Sequence, residues 1–315
     1  METKTKVVVI GAGNVGATIA YTLTVQHAAS EIVIIDVAKD KAIGEVDDIK
    51  HGLCFLGEAN IYAGDYSDVK GADLIVMTAG AGRKPGETRL DLANKNVSIA
   101  KSCTTEIMKH YDGGAILVVA NPVDILTYMV AKWTGLPSGR VFGSGTSLDS
   151  VRFRSILSDL TDIDVANVHG YILGEHGDSQ FAAWSHTHVA GMPIDSYCKK
   201  ENITLDAAAK ADIEERVKKS GANIISRKGA TFYGVSACVA SLTNSVLHNR
   251  STIRTVGTVL TGQFGIDGIA LSLPSVVYGG GVKDVLTPEL TEEELNALRR
   301  SADACRAVLD QVKDA

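Results

Sequence analysis

A histidine lies among small and acidic residues in the segment Gly174-Glu175-His176-Gly177-Asp178, directly after an apolar stretch that ends at Leu173. The apolar stretch predicts a strand, and the glycines allow the chain to present the histidine at the end of that strand. An imidazole exchanges protons near neutral pH, so it can act as a general acid and base. The segment therefore predicts an acid/base residue that faces a cleft.

A carboxylate and a guanidinium lie upstream of this histidine, at Asp149 and Arg152. Their stretch has helical spacing, so residues three apart share one face of the helix. Asp149 could orient the imidazole and stabilise its charged form, and Arg152 could bind a substrate carboxylate through two parallel hydrogen bonds. The alternative is an intrahelical ion pair without a catalytic role, worth about 0.5 kcal/mol or less.

Two more arginines occur in the loop Gly82-Arg83-Lys84-Pro85-Gly86-Glu87-Thr88-Arg89, which follows the apolar run Leu74–Met77. A loop of this composition can close over a bound anion, with one arginine serving the chemistry and the other selecting the substrate. The alternative is a solvated polar loop, because charged side chains are usually exposed.

A dinucleotide fingerprint, Gly11-Ala12-Gly13-Asn14-Val15-Gly16, lies between a predicted strand and a predicted helix. Glycines there permit a tight turn and close approach of the backbone to a pyrophosphate at the helix N-terminus. The second predicted strand ends at Asp36, where a carboxylate accepts hydrogen bonds from ribose hydroxyls and favours NAD over NADP. The alternatives are a purely structural turn for the glycines and a surface aspartate for Asp36.

The elements that must position these residues alternate in the first half of the chain. Short continuous apolar runs predict buried parallel strands, and the segments between them have helical spacing. The predicted strands are Val7–Ile10, Glu31–Ile35, Leu74–Met77 and Ala115–Val119, and the predicted helices include Asn14–Gln26 and Asp91–Tyr111. This alternation predicts a doubly wound parallel sheet.

After about Gly143 the pattern changes to a mixture that predicts a separate α+β domain. The predicted helices are Asp149–Leu160, Asp206–Ser226 and Gly229–Asn249, and the predicted strands are Val165–Leu173, Thr252–Gly262 and Ile269–Val277. A last helix is predicted from the capping box that Thr291 and Glu294 form, and apolar residues at helical spacing follow it.

Composition limits the class of protein. A chain of 315 residues with 45% apolar residues fits two globular domains. A net charge of −6 and a pI near 5.8 argue against binding to nucleic acid or an anionic membrane. Neither a signal peptide nor a span-length apolar segment is recognised, so we expect a cytoplasmic protein. Five cysteines without a Cys-x-x-Cys pair indicate reduced thiols and no metal site.

Taken together, these residues make the chain resemble the NAD-dependent lactate/malate dehydrogenase family over essentially its whole length. The resemblance is carried by the glycine fingerprint, by Asn121-Pro122-Val123-Asp124, by Gly143 to Arg154 and by His169 to Ser179. It implies an α/β fold in two parts. Residues 1–144 are expected to form an NAD-binding Rossmann domain with a doubly wound parallel sheet, and residues 145–315 a C-terminal α+β substrate-binding and catalytic domain.

The resemblance also implies a role for each site residue. His176 is expected to be the proton donor and acceptor, Asp149 its partner, Arg152 the carboxylate clamp and Arg89 the loop group that polarises the keto oxygen. Asn121 is expected to contact both substrate and nicotinamide. The expected cofactor-binding positions are Gly11, Gly13, Val15, Gly16, Asp36, Lys41, Tyr66, Gly80, Ala81, Asn121 and Ser144.

The expected reaction is hydride transfer between NADH and a small 2-keto acid. The form of Gly174 to Ser179 and the presence of Thr231 resemble the bacterial lactate branch, but Arg83 stands where that branch typically carries glutamine. A guanidinium there would pair with the second carboxylate of oxaloacetate, so we expect malate/oxaloacetate, with lactate/pyruvate as the alternative. An alternative of another class is a catalytically idle NAD-binding sensor.

Regulation and assembly are expected from the resemblance alone. Arg154 and His169 match positions where bacterial lactate dehydrogenases bind fructose 1,6-bisphosphate, and two basic side chains suit a phosphate. The alternative is that both are surface or interface residues. The resemblance also implies a homodimer or a homotetramer.

Overall fold

The computed structural model describes residues 4–82, 86 and 88–312. Six parallel strands of the first half lie side by side in the order β3-β2-β1-β4-β5-β6. They are β1 (Lys6–Ile10), β2 (Glu31–Ile35), β3 (Asn60–Ala63), β4 (Leu74–Met77), β5 (Ala115–Val118) and β6 (Val141–Gly143). This is the doubly wound order of a Rossmann sheet, so the predicted fold class is confirmed.

Four helices connect these strands and pack on the sheet: α1 (Asn14–Val25), α2 (Lys39–Leu56), α3 (Arg89–His110) and α4 (Val123–Thr134). The strands read as continuous apolar runs because separate groups of buried side chains pack on the two faces of the sheet. The strand order reverses between β1 and β4. A crevice forms outside the carboxyl ends of strands at such a reversal, and nucleotides bind there.

The predicted strand Val165–Leu173 differs from the structure. The chain forms a 3-10 turn at Val165–Asn167 and then two short strands, β7 (Val168–His169) and β8 (Ile172–Leu173). Gly170 and Tyr171 lie between them, and a Cβ at Gly170 would lie 2.7 Å from Cε1 of Phe153, so glycine is needed beside that ring. The remaining short strands are β9 (Phe181–Ala182), β10 (His188–Val189) and β11 (Met192–Pro193), and β7 pairs with β10 whereas β8 pairs with β9.

The second half carries the helices α5 (Ser147–Thr161), α6 (Ile194–Lys200), α7 (Ala207–Lys228), α8 (Tyr233–Leu247) and α9 (Glu292–Leu309). The predicted helix Gly229–Asn249 starts later than expected, because Gly229 adopts φ +85° and ends α7. The predicted capping box is confirmed, since Thr291 Oγ1 accepts the Glu294 N–H and Glu294 accepts the Thr291 N–H.

Three successive antiparallel strands join the second half to the Rossmann sheet. They are β12 (Thr252–Thr261), β13 (Asp267–Tyr278) and β14 (Gly281–Val285). β12 pairs with β6 at Gly257 and Gly143, which makes one nine-stranded sheet. The cores of the two halves are therefore continuous, and α9 buries Leu298, Ala302 and Cys305 in the same core as β4 and β5.

Among the described residues, no helix combines the length and apolarity needed to cross a membrane. All five cysteines are free thiols, and Cys103, Cys198 and Cys305 are buried.

Candidate active site

The glycine fingerprint forms the turn between β1 and α1. Gly11 has φ +112°, and a Cβ at Gly16 would lie 1.8 Å from the carbonyl oxygen of Gly11. The protein's own packing therefore requires both glycines. A Cβ at Gly13 would meet no protein atom within 4 Å, so the packing does not explain this glycine. Gly13 caps α1 without a side-chain hydrogen bond, and this bare helix start fits the close approach of a pyrophosphate.

Asp36 lies at the end of β2, beside this turn. Its Oδ2 accepts the Ala12 N–H at 2.6 Å, and its Oδ1 accepts the Ala38 N–H at 2.8 Å. The carboxylate thus fixes the glycine turn and stands where a ribose is expected. Burial, with Cys103 and Asp36 nearby, raises the pKa of Tyr66. Lys41 is exposed on α2.

A cavity of about 550 Å³ lies at the carboxyl ends of β1, β4 and β5. Residues from both halves of the chain line it. Among them are nine of the predicted positions: Val15, Gly80, Ala81, Asn121, Ser144, Asp149, Arg152, His176 and Thr231. The predicted positions Gly11, Gly13, Gly16 and Asp36 surround the start of α1, at the glycine turn.

Asp149 joins the histidine and the arginine. It lies in the first turn of α5 and is 2% exposed. Its Oδ2 is 2.5 Å from His176 Nδ1, and its Oδ1 accepts a hydrogen bond from Arg152 Nη1 at 2.9 Å. The helical spacing explains the contact with Arg152, and the contact with His176 comes from the β8 end packing against α5. His176 and Arg152 keep partly exposed side chains that face the cavity.

These contacts shift the acidity of both partners. Burial alone would lower the pKa of His176, but the charge and hydrogen bond of Asp149 raise it above its ordinary value. Burial alone would raise the pKa of Asp149, but His176 and Arg152 hold it below its ordinary value. The pair therefore favours a protonated imidazole beside an ionised carboxylate, which is the form of a general acid.

Asp124 is a second carboxylate at this histidine, and the sequence interpretation had assigned it no role. It lies in the first turn of α4, and its Oδ2 accepts the backbone N–H of His176 at 2.8 Å. It is 3% exposed, and its Oδ1 has no hydrogen-bond partner in the structure. Burial raises its pKa to about 7. The sequence feature that could have pointed to Asp124 is its place in the segment Asn121-Pro122-Val123-Asp124, which leads into the first turn of α4.

Asn96 is a further polar residue that the sequence interpretation missed. Its side chain lines the cavity from α3 and is 2% exposed. It hydrogen-bonds the backbone of Ala81 and Asn121, two of the predicted positions. The sequence feature that could have pointed to Asn96 is its polar side chain on the buried face of α3, among Ala93, Val97 and Ala100.

Thr231 lies in the short connection between α7 and α8. Lys228, in the last turn of α7, places its ammonium 3.6 Å from the ring centre of Phe232 and 4.0 Å from that of Tyr233. These cation–π contacts span the connection and hold it against the two helices.

The roles expected for two arginines of the substrate loop remain predictions. Arg83 lies outside the described residues, and of Arg89 only the backbone is described, as the first residue of α3. Thr88 caps this helix, and its side chain accepts the Asp91 N–H.

The predicted effector residues occupy different surroundings. Arg154 donates from Nη2 to the carbonyl of Val165 at 2.8 Å and, together with Arg254, lines a second cavity of about 270 Å³. Burial and the nearby Arg254 lower the pKa of Arg154. His169 is exposed on β7, opposite His188 in the sheet, and does not line this cavity. Within the described ranges, no group of three His, Cys, Asp or Glu side chains could hold a metal ion.

Known proteins match this chain over both halves. The profile of the lactate/malate dehydrogenase NAD-binding domain matches residues 5–143, and that of the lactate/malate dehydrogenase alpha/beta C-terminal domain matches residues 146–315. The L-lactate dehydrogenase of Thermoanaerobacter pseudethanolicus is 48% identical over 307 residues, which are 98% of this chain and 99% of the relative. L-lactate dehydrogenase 1 of Clostridium acetobutylicum is 46% identical over 312 residues, covering 99% and 100%.

Solved structures agree with these relatives. The minor L-lactate dehydrogenase of Enterococcus mundtii, in its ligands-bound form, has a TM-score of 0.96 and 39% identity and covers all of both chains. An L-lactate dehydrogenase of Clostridium thermocellum has a TM-score of 0.88 and 53% identity and covers 99% of this chain and 100% of its own. The chain therefore belongs to the lactate/malate dehydrogenase family and is an NAD-dependent oxidoreductase that acts on 2-hydroxy acids.

Proposed function

We propose that this enzyme interconverts L-lactate and pyruvate. The observation that supports reduction of a 2-keto acid is the bridge that Asp149 makes between His176 and Arg152 at one wall of the cavity, and the choice of pyruvate rests on the relatives. This set provides one acid/base and one clamp for a single carboxylate. The relatives named above are L-lactate dehydrogenases, and they do not support the malate preference expected from Arg83.

The residues divide the chemistry among them. The glycine turn and Asp36 would hold NADH, which would supply a hydride for the keto carbon. Arg152 binds the substrate carboxylate, because a guanidinium pairs with both oxygens of that group. His176 has its Nδ1 held by Asp149, so its Nε2 carries the proton that the substrate oxygen receives. Asp149 favours the charged imidazole until that proton leaves.

The remaining roles in the proposal follow the family resemblance. Arg89 stabilises the negative charge that develops on the keto oxygen, and such donors are worth about 3–4 kcal/mol in other enzymes. Asn121 contacts both the substrate and the nicotinamide. Thr231 contributes to the pocket for the substrate's third carbon. The glycine turn, Val15, Asp36, Lys41, Tyr66, Gly80, Ala81 and Ser144 contribute to NAD binding.

Steady-state kinetics of purified enzyme test this proposal. NADH oxidation is measured with pyruvate and with oxaloacetate, and kcat/KM is expected to be higher for pyruvate. The same assay tests the idle-sensor alternative, which predicts NADH binding without turnover of either keto acid. If kcat/KM is higher for oxaloacetate than for pyruvate, the enzyme is a malate dehydrogenase and the lactate proposal is wrong.

Malate dehydrogenase is the second candidate, and Arg83 is the residue that favours it. A guanidinium in the substrate loop would pair with the second carboxylate of oxaloacetate and would lack a partner beside the methyl group of pyruvate. The Arg83→Gln variant decides how strongly this residue acts. If Arg83 contacts the substrate, the variant should change the ratio of the two kcat/KM values by about tenfold or more, in favour of pyruvate.

An effector site and an oligomer are further parts of the proposal. Arg154 is basic and lines the second cavity, which supports a phosphate ligand there, and His169 is included by resemblance only. A titration with fructose 1,6-bisphosphate is expected to lower KM for the keto acid in the parent enzyme and not in the Arg154→Gln variant. Equal KM values with and without the sugar bisphosphate would remove the effector from the proposal.

A further inference from the structure

The side chain of Asn96 makes three hydrogen bonds to the backbone of two other segments. Its Oδ1 accepts the Ala81 N–H at 2.7 Å. Its Nδ2 donates to the Ala81 carbonyl at 3.1 Å and to the Asn121 carbonyl at 2.7 Å. The amide thus uses its oxygen and both N–H groups while it is almost fully buried.

These bonds lie where the sheet itself stops holding the two segments together. The ladder between β4 and β5 pairs Met77 with Val118, and the last backbone bonds are donated by Val119 and Ala120 to the Met77 carbonyl. Beyond that point the segments that follow β4 and β5 line the cavity. Asn96 bridges these two segments at Ala81, four residues after Met77, and at Asn121, three residues after Val118.

The bridged segments have related roles in the proposed function. Gly80 and Ala81 are cofactor positions, and Asn121 is expected to contact both the nicotinamide and the substrate. A Cβ at Gly80 would lie 3.5 Å from both Nδ2 and Oδ1 of Asn96, so the amide also packs against that peptide. The two segments also pack on each other directly, because the same Cβ would lie 3.3 Å from Cβ of Ala120, and the hydrogen bonds of Asn96 tie them together from α3.

Asparagine suits this position better than residue types of similar size or shape do. Aspartate has the same shape, but its carboxylate cannot donate to two carbonyls and would be repelled by them. Alanine leaves one N–H and two C=O groups without a partner in a buried place, which costs free energy for each group.

We propose that Asn96 is a positioning residue that sets the distance between the Gly80–Ala81 segment and Asn121, and so aligns the nicotinamide with the 2-keto acid. This inference rests on the proposed function of the cavity. Asn96 acts through its neighbours and does not itself touch the reacting atoms. Hydride transfer depends steeply on alignment, because a displacement of about 1 Å can cost a factor of roughly a hundred in rate.

The test compares Asn96→Asp and Asn96→Ala with Thr104→Val. Thr104 lies on the same helix, is similarly buried, and has an Oγ1 without a hydrogen-bond partner in the structure. For both Asn96 variants we expect kcat with pyruvate to fall by about tenfold to a hundredfold. We also expect a larger primary isotope effect with NADH deuterated at the transferred position, because hydride transfer becomes slower relative to other steps.

Hydrogen exchange provides a readout that does not depend on turnover. In Asn96→Ala, the peptide that contains Ala81 should exchange faster, because its N–H loses its acceptor. Thr104→Val should leave both the isotope effect and this exchange as in the parent. If Asn96→Asp does not fold, Asn96→Ala carries the comparison without adding a charge. The exchange is read on Asn96→Ala, because aspartate would keep an acceptor for the Ala81 N–H.

The outcomes separate the two proposals. If the parent enzyme oxidises NADH with a keto acid but both readouts are unchanged in the Asn96 variants, or if no Asn96 variant folds, the positioning role is wrong. If the parent turns over neither keto acid, the proposed function fails first. In that case faster Ala81 exchange in Asn96→Ala would still support the bridge between the two segments.

Discussion

At the scale of single residues, this site is built on two buried carboxylates that hold one histidine. Asp149 contacts the ring of His176, and Asp124 contacts its backbone N–H. The first carboxylate has its pKa lowered by His176 and Arg152, whereas burial raises the pKa of the second to about 7. The difference arises because Asp149 faces two cationic partners and Asp124 has one unpartnered oxygen.

The first prediction concerns the pH dependence of catalysis in Asp149→Asn. Asp149 raises the pKa of His176, so the imidazole stays protonated to higher pH than it otherwise would. The variant should lose pyruvate reduction at a lower pH than the parent does as pH rises. Its kcat/KM near neutral pH should fall by about a hundredfold or more.

The matched control is Asp159→Asn, an exposed carboxylate on the same helix. Its kcat/KM should stay within about twofold of the parent value, because an exposed charge away from the site has little effect. An unshifted alkaline limb in Asp149→Asn would contradict the proton-donor role of the pair.

The second prediction uses Asp124 as a stability probe. Its carboxyl has an ordinary pKa of 3.8 and titrates near 7 in the folded protein, so the folded state binds a proton that the unfolded state releases. Stability should therefore fall as pH rises through this interval, and Asp124→Asn should remove that part of the decrease. The measurement is the melting temperature of parent and variant at pH 4.5 and 7.5. Parallel changes in the two proteins would show that Asp124 does not titrate in this range.

At the scale of elements, the start of α1 depends on glycines for two different reasons. Gly11 and Gly16 are required by the protein's own packing, whereas Gly13 faces open space at the helix N-terminus. The turn is also tied to β2 through the bond between Asp36 and the Ala12 N–H. The start of α1 and the carboxylate of Asp36 are thus held together.

The third prediction tests this turn with Gly16→Ala. The added Cβ would lie 1.8 Å from the Gly11 carbonyl oxygen, so the turn must shift away from its cofactor-binding shape. We expect the Kd for NADH, measured by its fluorescence on binding, to rise by about tenfold or more, which is a loss of about 1.4 kcal/mol or more. Gly44→Ala on α2 is the control, because its Cβ would meet no atom within 4 Å. Equal Kd values in the two variants would count against the assigned role of the turn.

At the scale of the whole molecule, the two halves share one sheet through β6 and β12, and the cavity lies between them. Its position follows from the strand order, since the crevice opens at the carboxyl ends of β1 and β4, between which that order reverses. The division into residues 1–144 and 145–315 stays a prediction. A cytoplasmic location likewise stays an expectation from the sequence.

The fourth prediction concerns assembly. Apolar side chains are exposed on the helices of the first half, including Tyr21 and Val25 on α1 and Phe55 on α2. We expect these surfaces to pack against a second copy, giving a mass of two or four times 33.2 kDa by light scattering. Val25→Asp should weaken the assembly while NADH binding persists. A monomeric parent protein at micromolar concentration would exclude this proposal.

Features that depend on neighbours along the chain could be predicted from the residues alone. The glycine turn, the contact of Asp149 with Arg152, the cap of α9 and the apolar runs of the parallel strands all follow from short spacings, so they were predictable. The residue types had suggested Asp149 as the partner of His176, and the family resemblance supported this partner and defined the roles of the loop arginines. Arg83 and the side chain of Arg89 remain known from sequence alone.

The contacts between segments that are distant along the chain are seen only in the folded structure. His176 meets Asp149 across 27 residues and Asp124 across 52, and Asn96 reaches Asn121 across 25. The break in the predicted strand Val165–Leu173, between β7 and β8, likewise appeared only in the structure. Such contacts depend on strand order, helix packing and burial, which local spacing does not contain. Burial also made the two carboxylates at His176 differ, because each pKa is set by the partners that the fold brings to it.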